Sequence, residues 1–439
     1  MEKDNTNNSQ GSQDSQGSQD KNDSGKKKGS LTLFDLILMG LANIVGAGIF
    51  VILSKSIKYG GNQSLLALLV VAIISLIMGF CYIEIYSRFK SSITEYLAVQ
   101  DTLGENTGQI MLYLTYFFAI FSGVTIVISI SKYLSAFLPF DFSPFQQKAF
   151  SIFLLFLMSF INYMGIETSK VVANTISVAM ILILGTIIAF SARFVSYKET
   201  FSAPNVSWDS FVLSSVLSLF LFNGYDFLVK ISDESADPEN NKTALIASIS
   251  ITTLIYIAVI VSGLCVLHFK TASSTFNIIT KLYEVLTNKL TANIVFVIGA
   301  VIMFNTAFLS VMSATKFMQG LGRDKKIAFS EFWAETNKNG SPSNAIYASL
   351  IITVLLAILN NEVLMAIFSN TSCILILALL SIALLLLRFR ERNDLKMQEA
   401  HNYIPGNINN IPIIVIVNLL VLAYIMFIMI KNKFWIGKV

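Results

Sequence analysis

From residue 34 onward the chain repeats one pattern, a long apolar stretch without charge followed by a short polar connection. Such stretches fall near 34–54, 64–86, 108–137, 145–164, 171–192 and 210–230, and again near 243–268, 291–318, 344–360, 362–387 and 411–430. Each approaches the roughly 20 residues that an α-helix needs to cross a hydrocarbon core, which predicts about eleven membrane-spanning helices. Only Asn360-Asn361-Glu362 separates the ninth from the tenth, so either a tight hairpin or a shifted boundary is expected there.

Two of these stretches are interrupted. The first carries Asn43-Ile44-Val45-Gly46-Ala47-Gly48-Ile49-Phe50 at its centre, and the sixth carries Phe220-Leu221-Phe222-Asn223-Gly224-Tyr225-Asp226. Lipid offers no partner to a freed backbone N–H or C=O, so a glycine-broken span is tolerated where it lines a cavity or binds a ligand. One glycine alone suits close helix packing equally well. Two breaks, in the first and sixth spans, point instead to a shared site. Free amides at the positive end of a restarted helix suit a carboxylate, and freed carbonyls suit an ammonium. Together they describe a receptor for a group carrying both, as the α-amino and α-carboxyl of an amino acid do.

Composition narrows the class. With 54% hydrophobic and 13% charged residues and a mean hydropathy of +0.67, the chain has too few charges to surround a soluble globule of 439 residues. It reads as an all-α polytopic membrane protein whose first partner is the lipid bilayer. A net charge of +4 gives no reason to expect nucleic acid. Cys81, Cys265 and Cys373 lie in apolar runs and fit buried packing roles, with neither disulfide nor metal spacing. His268 and His401 are far apart, so no metal or cofactor is expected. A membrane enzyme would need clustered His, Asp or Glu near one interface, which the pattern lacks.

Residues 1–29 are Asn, Ser, Gln, Asp and Lys with hardly an apolar side chain, a composition expected to stay disordered. No apolar signal region falls within that stretch, so the first span itself is expected to direct insertion. Lys26-Lys27-Lys28 would hold the N-terminus in the cytosol. Alternate connections then collect Arg88, Lys90, Lys170, Arg323, Lys325, Lys326, Lys338, Arg388, Arg390, Arg392 and Lys396 on the same side. Lys270, Lys281, Lys289, Lys431, Lys433 and Lys438 run against the rule.

These residues carry a resemblance. Gly46-Ala47-Gly48-Ile49-Phe50 resembles the G-[STA]-G-I-F signature of the amino acid-polyamine-organocation superfamily of transporters. Tyr82-Ile83-Glu84 with Arg88-Phe89 is similar to its Y-x-E-L-x-x-R-[FY]-P element, without the proline. Phe222-Asn223-Gly224-Tyr225-Asp226, followed by Asp233-Glu234 and Asp237-Pro238-Glu239-Asn240, resembles its sixth-span signature. Asn305-Thr306-Ala307 through Lys316 and Gly322-Arg323-Asp324 is similar to its eighth-span pattern. The likeness covers nearly the whole chain after the tail.

The resemblance implies a five-plus-five inverted-repeat helical core with broken first and sixth helices, amino acids as substrates, and alternating access. It divides the chain into a cytoplasmic tail (1–29), a ten-helix transport core (30–390) and a cytoplasmic loop with one additional helix (391–439). It implies that Gly46 and Gly224 belong to the substrate-binding site, that the amides of Ala47 and Gly48 hold the carboxylate, and that the carbonyls of Ile44 and Asn223 hold the ammonium. Phe220 would close over the substrate, or else simply pack. Asp226, a carboxylate inside an apolar run, is a candidate for proton coupling or for preference toward cationic side chains, or else it bonds its neighbours without titrating. Glu84, Tyr225 and Asn305 are coupling or gating candidates, with pairing of Glu84 to Arg88 or Lys90 as the plainer role.

If an ion drives the cycle, it is expected to be H+ or Na+. The fifth-span lysine of many proton-coupled relatives is missing from Asn174–Met180, and Ser310 and Ser313 offer a weak sodium site. The commoner family pattern has a twelfth span, and its lack bears on homodimer contacts. The membrane is the plasma membrane or an internal one. A transporter-like amino-acid sensor and a polyamine transporter are the alternatives. Asn62-Gln63-Ser64 and Asn205-Val206-Ser207 match a glycosylation triplet on external loops, as chance also produces. The acidic run from Asp233 to Glu239 reads as a solvated loop.

Overall fold

The structure is a computed structural model that describes residues 30–135, 143–196, 203–275, 277–391, 404, 407–408 and 411–431. The tail 1–29, the lysine run within it, His401, Arg392, Lys396, Lys433, Lys438 and most of the connection before the last helix lie outside the described residues.

The spans are α1 (Leu33–Val51), α3 (Ser64–Phe89), α5 (Glu105–Ser135), α6 (Pro144–Tyr163), α7 (Ile166–Ser191), α8 (Trp208–Leu221), α10 (Pro238–Ser274), α12 (Lys289–Arg323), α14 (Ser343–Leu359), α15 (Glu362–Arg390) and α16 (Ile413–Lys431). Among the described residues, eight helices are long and apolar enough to cross a membrane. Three shorter apolar ones, Trp208–Leu221, Ser343–Leu359 and Ile413–Met429, occupy the remaining predicted spans. The chain is an all-α, multi-pass integral membrane protein. Its only described strands are the two-residue pair Asn407–Ile408 with Ile411–Pro412.

Element ends follow local chemistry. Thr32 and Asp35 form a capping box at the start of α1, and Ser143 with Gln146 does the same for α6 behind Pro144. Asn360 takes a left-handed φ of 49° and the Asn361 side chain caps α15, so the suspected hairpin is real and tight. Short helices in the connections escaped the span reading: α2 (Leu53–Gly60), α4 (Thr94–Leu103), α11 (Ile278–Leu286) and α13 (Ser330–Ala334), while the sixth predicted stretch divides into α8 and the short α9 (Phe227–Lys230).

Contacts between connections sort into two sets. On the side where α1 begins, Leu31 hydrogen-bonds Glu234 and Ala236, Arg323 pairs with Asp233, Ser91 with Asp324, Arg88 with Glu391, and Asn337 with Tyr163. On the other, Asn62 bonds Asn205, Ser196 bonds Cys265, and Asn277 bonds Tyr133. Every second connection therefore meets the N-terminal approach, as consecutive helices that each cross the protein require. The two glycosylation triplets share the opposite side, their asparagines 2.6 Å apart.

Candidate functional site

α1 runs helically to Gly46, which leaves the helix at φ −14°, ψ −120°, and then resumes. The interruption divides α1 into two helical pieces, the second restarting at Ala47. α8 stops at Leu221, and a turn through Gly224 at φ 114° leads into α9. That φ suits glycine alone at low energy. A Cβ on Gly224 would also sit 2.8 Å from Asn43 Nδ2 and 2.9 Å from the Asn43 carbonyl oxygen.

The two breaks face each other. Asn43 Nδ2 donates to the Gly224 carbonyl at 2.8 Å. Tyr256 of α10 lies between them, its hydroxyl 2.7 Å from the Leu221 carbonyl and 3.1 Å from that of Ile44. One hydroxyl carries one proton, so the nearer Leu221 carbonyl takes the stronger bond. Thr306 of α12 donates to the Ala42 carbonyl at 3.1 Å. Three side chains thus satisfy carbonyls that the breaks release.

A cavity of about 90 Å³ opens at the junction. Of the sequence-derived candidates, Ile44, Ala47, Gly48, Phe220, Asn223, Gly224, Asp226, Ser310 and Ser313 line it. Its far walls are Ile52 and two polar stripes at helical spacing, Ser122, Thr125 and Ser129 on α5 and Thr306, Ser310 and Ser313 on α12. Ser310 donates to its own helix at the Thr306 carbonyl, 3.0 Å away. Asn43 Oδ1, buried in the cavity wall, has no hydrogen-bond partner among the described residues.

The remaining candidates lie elsewhere. Gly46 is the point where α1 touches α12, and a Cβ there would fall 1.5 Å from Thr306 Oγ1. Tyr225 turns away and packs edge-on against Tyr82, ring centres 5.8 Å apart. Asn305 faces α7, donating to the Ala173 carbonyl at 3.3 Å. Glu84 is fully buried at the end of α3, where the guanidinium of Arg388, also buried, donates to both its oxygens at 2.5 and 2.6 Å. Arg88 is a secondary partner at 3.4 Å.

Asp226 is not an isolated carboxylate. Lys230, one turn on, pairs with it and stands 3.7 Å from Glu95 of α4, which accepts a 2.8 Å bond from the Tyr82 hydroxyl. The acidic run after α9 is not merely solvated either, since Asp233 pairs with Arg323 and Glu234 with Lys316. Asn43, Tyr256 and Glu95 were missed in the sequence. The stripe Thr306, Ser310, Ser313 was readable from its spacing, whereas the Tyr256 role rests on contacts across 212 and 35 residues of chain.

Comparison with known proteins adds the lineage. The branched-chain amino acid permease of Bacillus subtilis is 26% identical over 69% of this chain and 69% of its own length. The methylthioribose transporter of the same organism is 24% identical over 52% of this chain and 53% of its own. The mouse large neutral amino acids transporter small subunit 2 is 24% identical over 49% and 44%. The family model described as amino acid permease matches residues 31–436, from the capped start of α1 past the end of α16, and the chain belongs to that family.

Proposed function

We propose that this chain carries amino acids across the membrane by alternating access around the two helix breaks, as a symporter or exchanger. The observation that carries the reading is the cavity at which both breaks meet, with restarted helical amides at Ala47 and Gly48 on one wall and Asn223 on the other. The amides take the substrate carboxylate, the carbonyls of Ile44 and Asn223 take the ammonium, and Phe220 covers the bound molecule. The Ile44 oxygen retains a lone pair beside Tyr256 for this purpose.

The side chain of the substrate is neutral and apolar on this reading. Asp226 already has a lysine partner, which removes the free anion that a cationic side chain would seek. Ile52, Phe118, Ile126 and Met303 supply apolar wall. Two of the compared relatives are named for branched-chain and large neutral amino acids.

Packing supports two inverted halves. α1 packs on α10, and α8 packs on α3, the reciprocal contact that equating first with sixth and second with seventh spans would produce. The side where α1 begins is taken as cytosolic, in line with Arg88, Arg323, Arg388 and Arg390 on it. Uptake of labelled leucine, and then of other amino acids and polyamines, into proteoliposomes with and without a pH gradient tests the proposal. Folded protein that neither takes up nor exchanges any of them would sink it.

A further inference from the structure

Between the central cavity and the side where α1 begins lies a second pocket of about 210 Å³, lined by Lys230, Asp233, Glu234, Lys316 and Arg323 among others. Lys230 belongs to its wall and at the same time pairs with Asp226, which lines the central cavity. One buried ion pair, that of the Lys230 ammonium, therefore joins the walls of the two compartments.

That ammonium has two carboxylates. Asp226 is 8% exposed, Lys230 2% and Glu95 1%. With all three ionised the buried cluster carries one uncompensated negative charge, which low-polarity surroundings penalise heavily. The neighbours do not cancel it: Tyr82 from α3, Thr115 and Phe118 from α5, Tyr225 beside Asp226 and Cys373 from α15 are neutral groups. Lys316, the next cation across the pocket, is paired with Glu234, and Arg323 with Asp233. One proton restores the balance. The geometry says where it goes, because Lys230 is in close contact with Asp226 and only 3.7 Å from Glu95, the arrangement expected when Glu95 is the neutral partner.

We infer that Glu95 is a proton-binding site whose occupancy controls whether Lys230 neutralises Asp226 at the substrate cavity. Binding forms one O–H bond on the Glu95 carboxylate and breaks one in the hydronium ion that delivers the proton, which leaves as water. When the proton leaves, the Lys230 ammonium is divided between two carboxylates and Asp226 is less fully neutralised. Burial pushes the Glu95 carboxyl above the usual glutamate range, against the pull of the Lys230 ammonium, and the Asp226 charge adds to the rise.

The use of this site to couple transport rests on the proposed function, but its existence does not. Purified full-length protein in detergent is titrated while the infrared carbonyl band of a protonated carboxylic acid is followed. The wild type is expected to show a band that titrates above the ordinary glutamate range. Glu95→Gln, which mimics the neutral form and keeps its shape, is expected to lose that band, and Lys230→Gln to shift its midpoint upward. A band unchanged by Glu95→Gln, or a midpoint unmoved by Lys230→Gln, would overturn the inference. In proteoliposomes the wild type is expected to respond to a proton gradient and Glu95→Gln to lose that response. A wild type with the band and no amino-acid uptake would defeat the transport reading and leave the proton site standing.

Discussion

Asn43 reaches across to Gly224, its side-chain amide 2.8 Å from the glycine carbonyl and 181 residues away in sequence. The contact closes one helix break onto the other, and it exists because Gly224 has no Cβ to meet Asn43. Gly224→Ala is therefore expected to do two kinds of harm. The φ of 114° is strained for alanine, by about 1–3 kcal/mol, and the new methyl would collide with the Asn43 backbone as well as its side chain. Equilibrium binding of labelled amino acid should be lost, and thermal stability should fall further than in Asn43→Ala, which forfeits one hydrogen bond.

The two glycines of α1 are expected to respond differently. A methyl at Gly46 would overlap Thr306 down to its Cβ, 2.5 Å away, which no change of rotamer relieves, so Gly46→Ala should reduce the yield of monodisperse protein sharply. At Gly48 the nearest atom is the Leu221 Cδ2 at 2.9 Å, the far end of a flexible side chain. Gly48→Ala should therefore fold with a small loss of stability, while Gly48→Leu should insert normally and fail to bind substrate. Binding by Gly48→Leu at wild-type affinity would contradict the placement of the carboxylate.

These features were legible to different degrees, for physical reasons. Span positions follow from apolar length, and the breaks from glycine and asparagine where lipid demands an unbroken ladder. Even the end of the seventh span, placed near residue 268, coincides with His268 leaving the helix at φ 57°. α4 was invisible because ten residues of mixed polarity between two spans carry no span signal, and Glu95 was missed with it. The Glu84–Arg388 pair joins residues 304 apart, and nothing in either local sequence names the other. Asn305 and Thr306 are adjacent in sequence, yet helical geometry sends one toward α7 and the other into the cavity.

That buried pair makes a stability prediction. Arg388→Met would take from Glu84, in a dry environment, its closest charged partner and leave Arg88 at 3.4 Å, itself occupied by Glu391 at 2.7 Å, beside the Ile404 amide at 3.3 Å. Removing one partner of a buried ion pair destabilises by about 3–5 kcal/mol. The double change Glu84→Gln with Arg388→Met should recover much of the loss, since no unpaired charge remains. Thermal denaturation of the wild type, the two single variants and the double variant in detergent measures the non-additivity directly, and an additive result would mean the pair contributes nothing as a pair.

Tyr256→Phe should keep the ring, which packs edge-on against Phe222 at 5.4 Å, and remove only the hydroxyl. The Leu221 carbonyl, freed where α8 ends, then loses its 2.7 Å donor. An unsatisfied buried group costs about 1–3 kcal/mol. Because the same hydroxyl stands at the Ile44 carbonyl, substrate affinity is expected to change along with stability. A change in stability alone would separate the tyrosine from the ammonium site.

Glu95 ties stability to pH with a definite sign. Burial raises its carboxyl above the usual range, so in the fold it holds a proton that the unfolded chain has already released. Between the two pKa values the native state binds more protons than the unfolded state, and stability falls as pH rises. The contribution is fully present below the ordinary glutamate range and is lost as pH climbs through the raised value. Glu95→Gln removes this dependence, because glutamine is neutral throughout. Its melting temperature relative to wild type should therefore rise between mildly acidic and alkaline pH, while at acidic pH the two proteins should melt close together. A constant difference across that range would show that Glu95 keeps its charge in the fold, with Lys230 rather than a proton balancing it.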